Sequence, residues 1–149
     1  MTRINAHIMP EDLCDEHLLA EYHEILRIND WASYRAAKQG RAMLNSIQKT
    51  FTLGKGHVTF FYDKLKFIHL RFEDLKKELL RRGVNVKIEY DDSTVLKLPW
   101  LYNDWLPCSE ANIIVVERIL ERANQMKKIS YLKRKLSFDE YKNLLSKYI

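Results

Sequence analysis

Hydrophobic positions in this chain gather into periodic blocks separated by stretches without a period. From Asp15 to Arg27, the residues Leu18, Leu19, Tyr22, Ile25 and Leu26 recur at three- and four-residue steps. That spacing predicts a first helix, with His17, Glu21, Glu24 and Arg27 on the opposite, polar side. Trp31, Tyr34 and Ala37 extend the pattern to a stop at Gly40, so a continuous or slightly kinked helix is expected. Arg41 to His57 carries Gly54 and Gly56 and holds no period, which predicts a long loop held down by Phe51 and Leu53. Phe61, Leu65, Ile68, Phe72, Leu75 and Leu79 then step by four and three, marking a second helix. Arg81-Arg82 and Gly83 close it, cations suiting the negative end of a helix and glycine the left-handed residue after it.

Between Val84 and Pro107 the pattern is irregular. VKIEY reads as a short extended piece, and the rings of Trp100, Tyr102 and Trp105 are expected to pack under the loop. Ser109 is placed to cap a third helix whose apolar stripe would be Ile113, Val116, Leu120 and Ala123. Ser137-Phe138-Asp139-Glu140 has the form of a capping box, opening a short fourth helix that runs toward Tyr148. The expected fold is all-α (mainly α): one compact domain over residues 1–149, three principal helices, long irregular loops and a short C-terminal helix.

Composition narrows the partners. The chain is 46% hydrophobic and 30% charged, and no apolar run approaches the roughly 18 residues of a membrane span. MTRINAHIMPEDLCDEH contains no apolar leader core, so a cytoplasmic, intracellular protein is expected, without membrane association. Cys14 and Cys108 lie far apart with no CxxC or paired-histidine spacing, which supports neither a zinc site nor a disulfide framework; no metal or cofactor is expected. The 25 Lys and Arg against 20 Asp and Glu give +5. Such a surplus suits a polyanion, although solvated surface charge alone also produces it.

The candidate chemistry begins at MTRIN. Removal of Met1 would leave a free α-amine on Thr2, whose reference pKa of about 7.7–8.0 lies well below the about 10.4 of lysine. A useful fraction is then a neutral nucleophile at ordinary pH, able to form a Schiff base with a sugar carbon, without the burial a lysine would need. Alone, the same five residues read as a solvated arm.

MTRIN, DEHLLAEYHEILRI, FTLGKGHVTFFYDKLKF and LLRRGVN, in that order, resemble the signature segments of the phage-type pyrimidine-dimer DNA glycosylase/AP lyase family, also called endonuclease V of the excision-repair kind. The resemblance covers the chain to about residue 85 and returns in the helix after Pro107. It implies a monomeric, bifunctional enzyme on double-stranded DNA containing pyrimidine dimers. The terminal amine, here of Thr2, attacks C1′ of the 5′ nucleotide and expels the base; a carboxylate, here Glu24 in AEYHEILR, assists ring opening and β-elimination. It also implies kinked DNA with the nucleotide opposite the lesion extruded, a deformation made cheaper by the damaged stacking at a dimer.

Other residues are candidates for DNA contact. Arg3 and Arg27 are implied at the DNA surface, and His17 in positioning or phosphate contact. Lys55, in Lys55-Gly56-His57, stands where backbone amides could approach a phosphate, or in a plain tight turn. Arg118 and Arg122 share a face of the third helix clear of the expected stripe, and KKISYLKRK adds five cations around Tyr131, so together they could track a phosphate backbone. Plainer readings pair Glu24 with Arg27, Arg118 with Glu121, and His17 with Glu21. The chain departs from the family at His23, where an arginine usually precedes the glutamate; histidine keeps a donor but loses the fixed charge and the fork. The segment from Leu132 to Ile149 departs most. Two further readings stay open: the same amine chemistry turned to another modified base or abasic site, and a helical DNA-binding protein without catalysis.

Overall fold

The first periodic block folds as two helices with a kink between them, α1 (Asp15–Glu24) and α2 (Arg27–Gln39), in a computed structural model that describes residues 3–149. Ile25 and Leu26 keep helical dihedrals, but the amides of Ile28 and Asn29 reach back only three residues, each at 3.2 Å, so the turn tightens there. Ile28, Ala32 and Ala36 continue the buried phase of Leu18, Tyr22 and Ile25. Trp31, Tyr34 and Ala37 do not: the two rings are 40% and 63% exposed, and Leu19 of α1 also faces out. Their bulk suggested a stripe, whereas the small alanines are what allow α2 to pack closely. Gly40, at φ 57°, ends the helix as expected.

The loop after it begins with a 3-10 segment, Gly40–Ser46, and ends in the single turn α3 (His57–Phe60). Phe51 does hold it down, its ring meeting Phe60, Phe61 and Trp105 at centroid distances of 5.6–6.2 Å. Helix α4 (Leu65–Arg81) buries Leu65, Phe67, Ile68, Phe72, Leu75 and Leu79, and with them Arg71 and Glu78. It stops as the sequence predicts: Gly83 is left-handed, its amide bonds Leu80 and the Val84 amide bonds Leu79.

VKIEY forms no strand. It is fastened by side chains instead, the Ile88 amide donating to the Tyr22 hydroxyl (3.1 Å), while Asn29 donates to the Tyr90 hydroxyl (2.9 Å) and the Tyr90 ring stacks on His69. After the short α5 (Ser93–Lys97), helix α6 (Ser109–Gln125) is preceded by Cys108 at the cap position, so Ser109 is the first helical residue and not the cap. Its stripe is Ala111, Val115, Val116, Ile119 and Ala123, with Ile113 and Leu120 only half-buried. That phase puts Arg118, one turn after Val115, inside the protein; it is not clear of the stripe.

The basic run 127–135 folds into the two-stranded antiparallel pair β1 (Ser130–Tyr131) and β2 (Arg134–Lys135). Its turn residues, Leu132 and Lys133, both have positive φ, normally work for glycine or asparagine. The Asp15 carboxylate at the start of α1 supplies the compensation by accepting both amides, at 3.1 and 2.8 Å. The Ser137–Glu140 capping box is present in full and opens α7 (Phe138–Leu145), which buries Tyr141 and Leu145.

One continuous core joins Ile4, Ala6, Ile8 and Leu13 to α1, α2, α4, α6 and α7. The described part of the leading segment has no regular structure beyond a short 3-10 turn at Pro10–Asp12, so side chains satisfy its backbone. His57 Nε2 accepts from the Ile4 amide (3.0 Å), Arg71 donates to the Ile8 carbonyl (2.6 Å), Arg82 donates to the carbonyls of Pro10 and Leu13, and the Tyr148 hydroxyl accepts from the Met9 amide. Among the described residues no helix is long and apolar enough to cross a membrane.

Candidate active site

Alternating three- and four-residue steps on α1 and α6 bring His17, Ala20, Glu21 and Glu24 opposite Arg118, Ile119, Arg122, Gln125 and Met126. Arg3 and Asn5 close the third side, around a cavity of about 350 Å³. Five residues singled out from the sequence therefore meet here: Arg3, His17, Glu24, Arg118 and Arg122. Three do not line it. His23 is exposed, its ring edge-on to Tyr22 at 5.4 Å; Arg27 is exposed at the first turn of α2; Lys55 is exposed between two left-handed glycines. Thr2 lies outside the described residues.

Positive charge dominates the cavity. Arg3, Arg118 and Arg122 converge, and the first two are held below the ordinary arginine value. Burial depresses Arg118 most, to about 10, with the neighbouring Arg3 adding to it and Glu21 opposing. Arg3 is lowered by burial and then by Arg122, against the pull of Glu24 and Glu121. Its Nε is buried and has no hydrogen-bond partner among the described residues. Three cations crowded together, one with an idle donor, form a receptor for an anion, because each guanidinium would be better solvated by a phosphate or carboxylate than by its neighbours. No salt bridge among the described residues engages the half-buried Glu24, so the pairing with Arg27 does not form.

His17 is pushed down to about 4, chiefly by burial and then by Arg122, so the imidazole is neutral in ordinary buffers. Its Nδ1 lies 2.8 Å from the Tyr141 hydroxyl. It does not pair with Glu21, which is itself buried and held elsewhere: Arg71 donates Nε and Nη2 to its two oxygens at 2.8 and 3.0 Å, and Asn5 donates to Oε1 at 2.7 Å. Glu21 thus belongs to the interior and not to the polar face expected of α1. Asn5 in turn accepts from Arg118 Nη2 at 3.0 Å. That bond stands in place of the plainer Arg118–Glu121 surface pair, and Arg118 is only 9% exposed.

His57 is likewise no surface base beside a phosphate. Both ring nitrogens are committed, Nδ1 to the Thr52 carbonyl at 2.9 Å and Nε2 to the Ile4 amide, which makes Nδ1 the protonated nitrogen. Burial lowers it to about 4.

Sequence reasoning missed Asn5, Arg71, Tyr141 and the inward roles of Glu21 and His57. A usable signal existed for Arg71 and Glu78, which fall on the apolar stripe of α4 at three-residue steps from Ile68 and Leu75, where a charge must find a buried partner. None existed for Tyr141, whose partner is 124 positions away.

A larger hollow of about 1200 Å³ is lined by Ala6, His7, Met9, Phe67, Leu70, Arg71 and Trp105 among others. It contains none of the described candidate site residues. The pair Arg71–Glu21 divides the two, one partner lining each.

Cys14 is buried and Cys108 exposed, both free thiols. No group of three or more His, Cys, Asp or Glu is arranged for a metal ion among the described residues. With three guanidiniums on its wall and the Glu24 carboxylate, which no salt bridge among the described residues engages, the smaller cavity can hold an anion beside a carboxylate. A family model described as pyrimidine dimer DNA glycosylase matches residues 1–92. The match takes in Arg3, His17 and Glu24 and leaves α6 and α7 outside it.

Proposed function

Because the chain belongs to the pyrimidine dimer DNA glycosylase family, we propose that it excises cyclobutane dimers from double-stranded DNA and then cuts the strand as an AP lyase, acting as a monomer through the α-amine of Thr2. The observation that carries this reading is that Arg3, the residue next to Thr2, lines the same cavity as Glu24.

In this scheme the neutral amine attacks C1′ of the 5′ nucleotide. The bond from C1′ to the pyrimidine nitrogen breaks, its electrons leaving with the base, which stays joined to its neighbour through the cyclobutane ring. The attacking nitrogen loses a proton, the sugar ring opens and an imine forms at C1′. Glu24 removes a C2′ proton, the 3′ C–O bond breaks with the phosphate as leaving group, and water then releases the amine. A carboxylate beside the cationic intermediates also stabilises them electrostatically. Arg3, Arg118 and Arg122 supply the wall that holds a backbone phosphate, while Arg27, His23 and Lys55 extend the surface outside the cavity.

Borohydride added during incubation with irradiated duplex should trap a covalent adduct that maps to Thr2, and plasmid nicking should require irradiation and persist with chelator. An adduct on an internal lysine, or trapping and nicking undiminished by Glu24→Gln, defeats the assignment.

A further inference from the structure

Tyr141 reaches the cavity only through His17, and it comes from α7, outside the residues the family model matches. Its side chain is fully buried. A phenol so placed must give its proton to something: its oxygen lies 2.8 Å from the imidazole Nδ1, and Cys14 is its other polar neighbour. A ring nitrogen accepts far better than a thiol sulfur, and a thiol can itself donate weakly. The phenol therefore donates to Nδ1. Burial keeps the phenol protonated, pushing it above its usual range.

We propose that Tyr141 is a positioning residue that fixes His17 as the Nε2–H tautomer, so that the cavity receives a neutral hydrogen-bond donor from His17 and not a general base. The proposal rests on the reading of the cavity as the DNA site and assigns the chemistry of one of its walls. With Nδ1 covered, Nε2 is the nitrogen left to the cavity. An uncharged donor suits that position: Arg118 and Arg122 disfavour a further cation there, against the weaker pull of Glu16 and Glu21. A neutral N–H gives direction toward a phosphate or sugar oxygen without adding to the repulsion. Proton removal then falls to Glu24 alone. The C-terminal helix, where the chain departs most from the family, thereby acquires a part in the site, just as an outer-shell partner sets the tautomer of a histidine ligand.

The test is the nitrogen-15 spectrum of His17 in the full chain at neutral pH. A protonated Nε2 with an unprotonated Nδ1 is expected, and Tyr141→Phe, which keeps the ring in the core, should let the other tautomer appear. The same variant should lower single-turnover cleavage of irradiated duplex about tenfold, the equivalent of one ordinary hydrogen bond. His17→Gln retains an N–H near the place of Nε2 and should stay within about tenfold of wild type, while His17→Leu should lose about a hundredfold. A wild-type His17 protonated on Nδ1, or a Gln variant as inactive as the Leu variant, overturns the proposal. Should Tyr141→Phe fail to fold, the wild-type spectrum and the two His17 variants still decide. If wild-type protein cleaves no irradiated DNA, the glycosylase reading falls, and the tautomer remains separately measurable.

Discussion

Arg71 of α4 grips Glu21 of α1 with two nearly parallel bonds, Nε to Oε2 at 2.8 Å and Nη2 to Oε1 at 3.0 Å, inside the protein and between its two cavities. Both side chains are almost wholly buried, at 6% and 1% exposure, so neither can recover its hydration if the other is removed. Arg71→Met should therefore cost about 3–5 kcal/mol, the usual consequence of stranding one buried charge. The double change Arg71→Met with Glu21→Leu should recover much of the loss. Urea unfolding of the three variants checks this, and a double variant no better than the single one would show that the bond from Arg71 to the Ile8 carbonyl matters more than the ion pair.

Asn5 links that pair to the cavity wall, donating to Glu21 and accepting from Arg118. Replacing it by alanine leaves a buried acceptor and a buried donor each short of one partner, a loss of about 1–3 kcal/mol. The same change frees the segment that leads to Thr2, so single-turnover cleavage should fall about tenfold or more even where folding is complete, since small misplacements of reacting groups are expensive. Melting curves alongside rapid-quench cleavage separate the two effects.

The long periodic elements were legible because period and stop signals agree: α1 with α2, α4 with Gly83, and the Ser137 capping box all stand where the sequence puts them. Arg3, His17 and Glu24 were legible through the family resemblance, and they do share one cavity. What could not be read is long-range pairing. Leu132 and Lys133 carry no turn residue, because the compensating group is the carboxylate of Asp15, 117 and 118 positions earlier. Arg118 looked solvated because its stripe was drawn through Ile113 and Leu120, one step out of phase; Asn5 and the Ile4 carbonyl, 113 and 114 positions away, explain why a guanidinium is tolerated inside.

His57 makes stability depend on pH in a definite direction. The folded protein holds it neutral down to about 4, by burial and by the nearby Arg118 and Arg3, against the Thr52 carbonyl. The unfolded chain protonates it near 6.5. Above that value the two states bind protons alike; between about 6.5 and 4 the unfolded state binds one more, so stability falls as pH falls, by roughly 3 kcal/mol across the window. His17 adds to the trend for the same reason. His57→Gln can still accept from the Ile4 amide and donate to the Thr52 carbonyl but cannot titrate. Urea unfolding at steps from pH 7 to 4 should show a shallower decline for the variant, and an unchanged decline would mean that the imidazole is already protonated in the folded state.

Arg118 and Arg122 lie one turn apart on α6 and should fail in different ways. Arg122 is exposed and is not hydrogen-bonded among the described residues, so Arg122→Ala should leave the melting temperature nearly unchanged. If it meets a phosphate, binding to irradiated duplex weakens and the slope of log affinity against log salt drops by about 0.9, the signature of one released counterion. Arg118 is buried against Asn5 and the Ile4 carbonyl. Its removal empties a polar cavity wall and strands the Asn5 oxygen, so Arg118→Ala should lower stability by about 1–3 kcal/mol as well as weaken binding. Fluorescence titrations at several salt concentrations, paired with melts of both variants, test the contrast. Equal loss of stability in the two would mean that Arg122 is also structural, and an unchanged salt slope for Arg122→Ala would remove it from the DNA contact.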